Sequence, residues 1–530
     1  MGIRSRITAI VAKAVPKGTV FDVRVAEEHQ EAHYATMVAF QLAKAEKKNP
    51  REIATKIADS IGVKAPKGFF EKVEVAGPGF INFSVSSNVL EEELKRILNE
   101  KKKYGTLKLL KKKVQLEFIS ANPTGPLTLA NGRGGFLGDA LGNVLARAGA
   151  KVEREYYVND TGNQVLNLGK SILAAGGIIP DSEEYYKGDY VKEWADGHRA
   201  LIESMKGKPL SLGERAAKDF LRFIKTAVQK KARIKFDRFT SEKQIHTTGL
   251  VKKVLTLFKK KNFVFEEDGA TWLKTTAFGD DKDRVIITKE GNPTYFLADA
   301  GHYLQTKQRG FDTKINILGP DHYGYVARIQ AVAKILGFKE STVLVTQAIR
   351  LMEQGELVKM SKRKGKFVTF EELVDEVGAD VARFFFLMIA PETHMDFDLA
   401  LAKERSQKNP VYYVQYAYVR AKNILTKMKI TTASKNFDVT KLSTVHDIGL
   451  IRELARFPEI IEDAARDYGV HRLTRYASEL AKTFHNFYEA ERVAGEEKGI
   501  SDARVALVAA TCIIFENLFS TIGISAPKKM

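Results

Sequence analysis

Apolar residues recur at helical spacing over residues 25–47 and 50–62, which predicts two helices near the start of the chain. The turn Gly77-Pro78-Gly79 breaks that pattern, and the alternation in Phe80-Ile81-Asn82-Phe83-Ser84-Val85 predicts a strand. A further helix over 88–103 ends in lysines, and a second basic cluster, Lys108 with Lys111-Lys112-Lys113, reads as a hinge. Residues 1–107 therefore read as a small α+β domain. Val114-Gln115-Leu116-Glu117-Phe118-Ile119 is the pattern of a buried strand. A loop over 120–131, a glycine-punctuated helix over 132–149 and a strand over 152–158 follow. Strand, helix and strand in this order predict a βαβ unit, hence a Rossmann-like α/β domain with a parallel sheet over 108–375. A charged, mostly helical stretch at about 170–245 interrupts it as an insertion. Strand-like runs return at 285–288, 315–318 and 342–346. Beyond a connecting segment at 376–404, only helical periodicity remains, which predicts an all-α bundle over 405–530. No repeat of solenoid period is visible.

Length agrees with this division, since 530 residues suggest roughly three or four domains. Uninterrupted apolar stretches fall short of the ~18 residues of a membrane span, and the N-terminus lacks a signal core, so a cytoplasmic protein is expected. The lone Cys512, in an apolar run, excludes a disulfide framework or a cysteine-rich zinc site and predicts a packed core thiol. The net charge of +19 changes the picture more. So large a positive field costs self-repulsion, and a polyanionic partner such as nucleic acid explains it; a solubility habit is the alternative.

Two segments carry candidate chemistry. Lys359-Met360-Ser361-Lys362-Arg363 is a cationic loop that can close over a triphosphate and neutralise charge on a departing pyrophosphate; by itself it equally fits a solvated basic turn. The loop 120–135 leaves a strand and enters a helix N-terminus, whose free N–H groups favour phosphate. Glycines 132, 134 and 138 suggest a dinucleotide fingerprint, but a true fingerprint follows its strand almost directly.

Together these segments resemble class I aminoacyl-tRNA synthetases, specifically the arginyl-tRNA synthetase family, over nearly the whole chain. The resemblance includes Glu117–Leu127, Glu155-Tyr156-Tyr157-Val158-Asn159-Asp160, Gly319-Pro320-Asp321-His322-Tyr323-Gly324-Tyr325-Val326, Gly378-Ala379-Asp380-Val381-Ala382-Arg383 and Asn409-Pro410-Val411-Tyr412-Tyr413-Val414-Gln415-Tyr416. It implies ATP-dependent ligation of L-arginine to tRNA(Arg) through an arginyl-adenylate, with ATP as its Mg²⁺ complex and no structural metal. It also implies a monomer acting without a membrane. Thr128, Ala130, Asn131, Gly132, Asp321, His322, Lys359, Met360, Ser361 and Lys362 fall at ATP positions, with Thr128, Asn131, Lys359 and Lys362 as the catalytic set. Glu117, Ser120, Asn122, Glu242, Tyr295 and Asp299 fall at arginine positions, because a guanidinium is read by paired carboxylate acceptors. Asn82 and Phe83 fit a polar group and a stacking ring for the tRNA elbow, and Tyr412, Tyr413, Gln415, Tyr416, Arg420 and Met530 fit the anticodon side.

The resemblance has gaps. The family's signature loop carries histidines at positions 128 and 131 and glycine at 130, where this chain has Thr128, Asn131 and Ala130. Each neutral donor in place of an imidazolium costs on the order of 1–2 kcal/mol of transition-state stabilisation. Phosphate charge then falls on Lys359 and Lys362, with Arg133 or Arg363 in support. A catalytically weak tRNA-binding paralogue is the competing expectation, motivated by those missing histidines.

Overall fold

The computed structural model describes residues 2–26, 32–358, 369–430 and 436–530. Its N-terminal part is a four-stranded antiparallel sheet in the order Val23–Val25, Tyr34–Thr36, Phe80–Val85, Phe70–Ala76, backed by helices that include Ile3–Ala14, Pro50–Lys64 and Ser87–Glu100. The helix expected over 25–47 is corrected here: the chain makes the strand Tyr34–Thr36 before the helix Val38–Glu46 begins. Tyr34 lies opposite Phe83 and Thr36 opposite Ile81, so aromatic and β-branched residues gain a sheet partner that local periodicity cannot foresee.

The central sheet is wholly parallel, in the order Glu340–Val345, Thr313–Leu318, Lys113–Glu117, Lys151–Val158, Arg238–Ser241. The chain winds outward in one direction from Lys113–Glu117, then crosses back to Thr313–Leu318 and winds the other way. This reversal opens a crevice at the carboxyl ends of the two middle strands, where doubly wound sheets bind ligands. The strand expected at 285–288 forms but lies outside this sheet. Arg284–Ile287 joins Ala270–Leu273 and Val264–Glu267 in a separate antiparallel sheet. Asp268-Gly269, with φ of 51° and 76°, is the tight hairpin turn that commits these strands to local pairing.

Between Lys151–Val158 and Arg238–Ser241 the chain inserts helices with a core of their own, built on Leu168, Ile172, Trp194, Leu212 and Phe220. The helices Asn163–Ala175 and Pro209–Lys225 meet backbone to backbone: a Cβ on Gly213 would lie 1.9 Å from the Val165 carbonyl oxygen. The C-terminal part is helical from Pro410–Lys427 to Lys498–Ile522. That last helix has the length and apolarity to cross a membrane, yet it is mostly buried, and Cys512 lies in its packed interior. Arg4 ties the ends of the chain together through Asp463 at 2.8 Å.

Candidate active site

The helix Leu129–Arg147 begins at the crevice, and its first turn is closed by a capping box. The Thr128 hydroxyl donates to Asn131 Oδ1 at 2.9 Å, the same oxygen accepts the Thr128 N–H at 2.9 Å, and Asn131 N–H donates back to Thr128 Oγ1 at 3.4 Å. The single hydroxyl proton of Thr128 is therefore used inside the box. Donation toward an anion falls instead to the Asn131 amide hydrogens and the free backbone N–H groups of the first turn. Glycine-rich spacing in this helix serves packing. A Cβ on Gly132 would lie 2.2 Å from the Phe370 ring, and one on Gly138 2.2 Å from the Phe118 ring. Gly132 is thus buried against Phe370, not open to a nucleotide, which corrects its assignment to the ATP set. Arg133 is also turned inward, donating to the carbonyls of Gln347, Ala390 and Thr393 at 2.8 Å each, so it is unavailable to phosphate.

The loop before the helix is strained where it leaves the sheet. Ile119 and Ser120 have φ of 67° and 41°, and a β-branched residue rarely adopts this backbone. The bend lets Ser120 Oγ donate to Glu117 at 3.2 Å while accepting the Tyr157 N–H at 3.0 Å. Asn122 accepts from Asn159 Nδ2 at 2.7 Å. Ser120, Asn122 and Asn159 thus converge at the strand ends.

Four carboxylates surround this point. Glu117 lies beneath the pocket and is not free for arginine, a correction to its expected role. It accepts Lys314 Nζ at 2.8 Å and Asn316 Nδ2 at 3.0 Å. Burial opposes its charge, but Lys314 and His302 outweigh that and hold its pKa below the usual value. Asp160 caps the next element, accepting from Ser241 at 2.6 Å and from the Lys243 N–H at 3.0 Å. The other two differ. Glu242 is pushed up to about 7 by burial, then by Asp299 and Asp160, and Asp299 to about 6 by burial, with Tyr325 donating to it. Among the described residues neither is ion-paired to a lysine or arginine; His246 stands 3.7 Å from Glu242. Tyr295, one turn before Asp299, is exposed at the rim and accepts the Asn163 N–H at 3.1 Å. The site thus combines two buried carboxylates that lack a lysine or arginine ion partner among the described residues with a helix N-terminus that favours phosphate. Asp321 and His322 stand exposed just past the strand Thr313–Leu318. Lys359, Met360, Ser361, Lys362 and Arg363 lie outside the described residues; the following Phe370 donates its N–H to Leu127 at 2.9 Å, beside the capping box.

Three family profiles match the chain: the arginyl tRNA synthetase N terminal domain at residues 1–85, the tRNA synthetases class I (R) catalytic domain at 93–384, and the DALR anticodon binding domain at 414–530. An arginine–tRNA ligase of Carboxydothermus hydrogenoformans is 40% identical over 528 residues, covering 96% of this chain and 94% of that protein. The chain belongs to the arginyl-tRNA synthetase family. A Bacillus licheniformis arginine–tRNA ligase is 41% identical over 96% of this chain and 94% of its own length. The fold matches that of Thermus thermophilus arginyl-tRNA synthetase with a TM-score of 0.79 at 21% identity, covering 99% and 100% of the two chains.

For a synthetase, the tRNA-facing residues matter next, and several expectations change. Phe83 is fully buried, stacked on Phe70 with ring centroids 5.4 Å apart, and has no face to offer a base. Strand alternation puts Phe80 on the same side as Asn82, and Phe80 is exposed, so it is the available ring beside that asparagine. Asn82 itself is largely covered. Gln415 is corrected in part: its amide hydrogens are used inside the fold, donating to Asp380 at 3.1 Å and to the Ser525 carbonyl at 3.0 Å. Tyr413 packs on His485 at 5.0 Å. Arg420 lies between Tyr416 and Tyr488, 4.7 and 4.3 Å from their ring centroids. Tyr412, Gln415, Tyr416 and Met530 line a cavity of about 910 Å³ with Arg233, Arg405 and Lys529.

The sequence reading missed Lys314, His302 and Tyr157. A lysine within the apolar strand Thr313–Leu318, and a histidine three residues after Asp299, were the available signals.

Proposed function

We propose that this synthetase binds the arginine side chain between Asp299 and Glu242 and joins arginine to tRNA(Arg) at the expense of ATP. The observation that carries the reading is the pair of buried carboxylates whose pKa values are raised and which make no ion pair with a lysine or arginine among the described residues, Lys314 acting on Asp299 only from a distance. Burying two carboxylates is costly unless a cation joins them, and a planar guanidinium meets two acceptors at once. Tyr295 closes the rim, and Ser120 and Asn122 hold the amino-acid end. Asn131 and the helix N-terminus meet the ATP phosphates, with Asp321 and His322 alongside. Lys359 and Lys362 supply the cationic hold. The Mg²⁺ that accompanies ATP neutralises further phosphate charge.

The arginine carboxylate then attacks the α-phosphate and pyrophosphate leaves, giving arginyl-adenylate; the 2′-hydroxyl of the tRNA terminal adenosine takes the arginyl group and releases AMP. Such chemistry is mainly positioning and charge neutralisation. The protein acts as a monomer in this reading. A cytoplasmic location, and the division at residues 107, 375 and 404, complete the proposal.

The test is charging of tRNA(Arg) by purified protein with ATP and radiolabelled arginine. Tight tRNA binding with no arginyl-tRNA formed would leave the binding-only paralogue as the better reading. Lys362→Ala is expected to lower kcat by at least about 100-fold while arginine affinity, measured by calorimetry, stays within about threefold. A near-normal kcat would remove the lysine loop from the catalytic set.

The raised carboxylates also set a pH dependence. Both must ionise to meet the guanidinium, so arginine affinity rises as pH climbs through 6 to 7 and levels off above. In the ligand-free protein the sign is opposite: the folded state holds these protons more tightly than the unfolded chain, so stability contributed here is lost as pH rises through the same window. Calorimetry at pH 6 in two buffers of different ionisation enthalpy should therefore show proton release on arginine binding. Uptake, or pH-independent affinity between 5.5 and about 8, would contradict the assignment.

A further inference from the structure

The Tyr157 side chain lies on the same face of its strand as Glu155, two residues earlier, and packs its ring on His302 with centroids 4.6 Å apart. His302 is fixed in turn, with Nε2 2.8 Å from Glu155. Asp299 sits one turn before His302 on the same helix, so the stacked phenol extends toward the acidic end of the cleft. The Tyr157 hydroxyl is buried and has no hydrogen-bond partner among the described residues. An orphaned hydroxyl in a covered site is costly, and its persistence calls for a partner that arrives with a ligand. Burial, followed by Asp299 and Glu242, holds the phenol well above its ordinary pKa, so it stays neutral and keeps its proton.

We infer that the Tyr157 hydroxyl is a further specificity contact of the arginine pocket, accepting one guanidinium N–H while its O–H donates a hydrogen bond to a pocket carboxylate. This deepens the arginine-site reading and rests on it. A guanidinium carries five N–H donors in one plane. Two carboxylates take the paired donors from the side, and the phenol supplies an acceptor from the strand beneath. A primary ammonium, with three donors clustered on one nitrogen, cannot span the three groups in this way.

Tyr157→Phe removes only the hydroxyl and keeps the stack on His302. The arginine KM is expected to rise roughly 10- to 100-fold, as for a lost hydrogen bond to a charged group, with kcat within about twofold. Inhibition by methylguanidinium, which carries the guanidinium without the amino-acid end, should weaken by a similar factor. The melting temperature should be unchanged or higher, because an unpaired hydroxyl contributes nothing to the ligand-free fold. An unchanged arginine KM overturns the inference. So does a joint fall of kcat and melting temperature with methylguanidinium inhibition intact, which marks a packing role. Calorimetry of wild type and Asp299→Asn with arginine is run alongside. If wild type fails to bind arginine, the site reading fails first and the inference goes with it; if wild type binds and Tyr157→Phe binds equally, the inference alone is lost.

Discussion

Asp299→Asn is expected to lower kcat/KM for arginine by about 150- to 5,000-fold, the equivalent of ~3–5 kcal/mol for removing one charge from a covered ion pair. The amide still accepts from Tyr325, so the pocket keeps its shape and loses mainly its charge. Glu242→Gln should act in the same direction, and the two losses should fall short of additive, because both carboxylates address one guanidinium. Binding of ATP should be little affected, since the capping box of Thr128 and Asn131 makes no contact with Asp299. Steady-state kinetics over arginine and ATP concentrations measure both. If Asp299→Asn keeps the wild-type arginine KM and kcat, the guanidinium does not sit there.

Arg383→Leu is the second large effect, and it is one of stability. The guanidinium of Arg383 is fully buried and joins four parts of the chain. It donates to Asp139 on the signature helix at 2.6 Å, to the carbonyls of Ala232 and Arg233 at 3.1 and 3.0 Å, and to that of Ile522 at 3.2 Å. It also lies 4.8 Å from the centroid of the Phe136 ring. Leucine takes from the buried Asp139 carboxylate its closer cation and leaves it Arg154, at 3.5 Å, and about 3 kcal/mol of stability should go with it. At roughly 2–4 °C per kcal/mol for domains of this size, the melting temperature should fall by roughly 10 °C. The pair Asp139→Leu with Arg383→Leu should recover part of the loss, because no buried carboxylate is then left short of its closer cation, although Arg154 loses its partner. A drop of less than about 2 °C for the single variant would show that the tie carries little.

Neighbouring residues show how differently the site could be read beforehand. Glu242 and Asp299 are named by a family motif, and the structure leaves both without a lysine or arginine ion partner among the described residues. Glu117 carried the same motif weight but not the same role. Its partner Lys314 lies 197 residues away in sequence, and only strand pairing brings the two within 2.8 Å. His302 and Tyr157 escaped notice for the same reason: their stack joins a strand to a helix from a distant part of the chain. In the N-terminal sheet, alternation already separated Phe80 and Asn82 from Ile81 and Phe83. Which of the two faces turns inward depends on the helices that cover it, and so Phe83 was mistaken for the exposed ring.

The glycines and amides repeat this division. Gly132 looked like part of a phosphate loop until Phe370, from a helix more than 200 residues on, was found packed against it. Gln415 looked like a base-reading amide until Asp380 and the C-terminal Ser525 were found to hold it. By itself the sequence determined the parallel α/β domain and the helical bundle, because hydrophobic period and turn chemistry are local properties. It also determined, through motif, which acids to examine. Only the tertiary structure decided which of those acids keep an uncompensated charge. A carboxylate's freedom depends on the cation or donor that long-range pairing places beside it, and burial then makes that difference large.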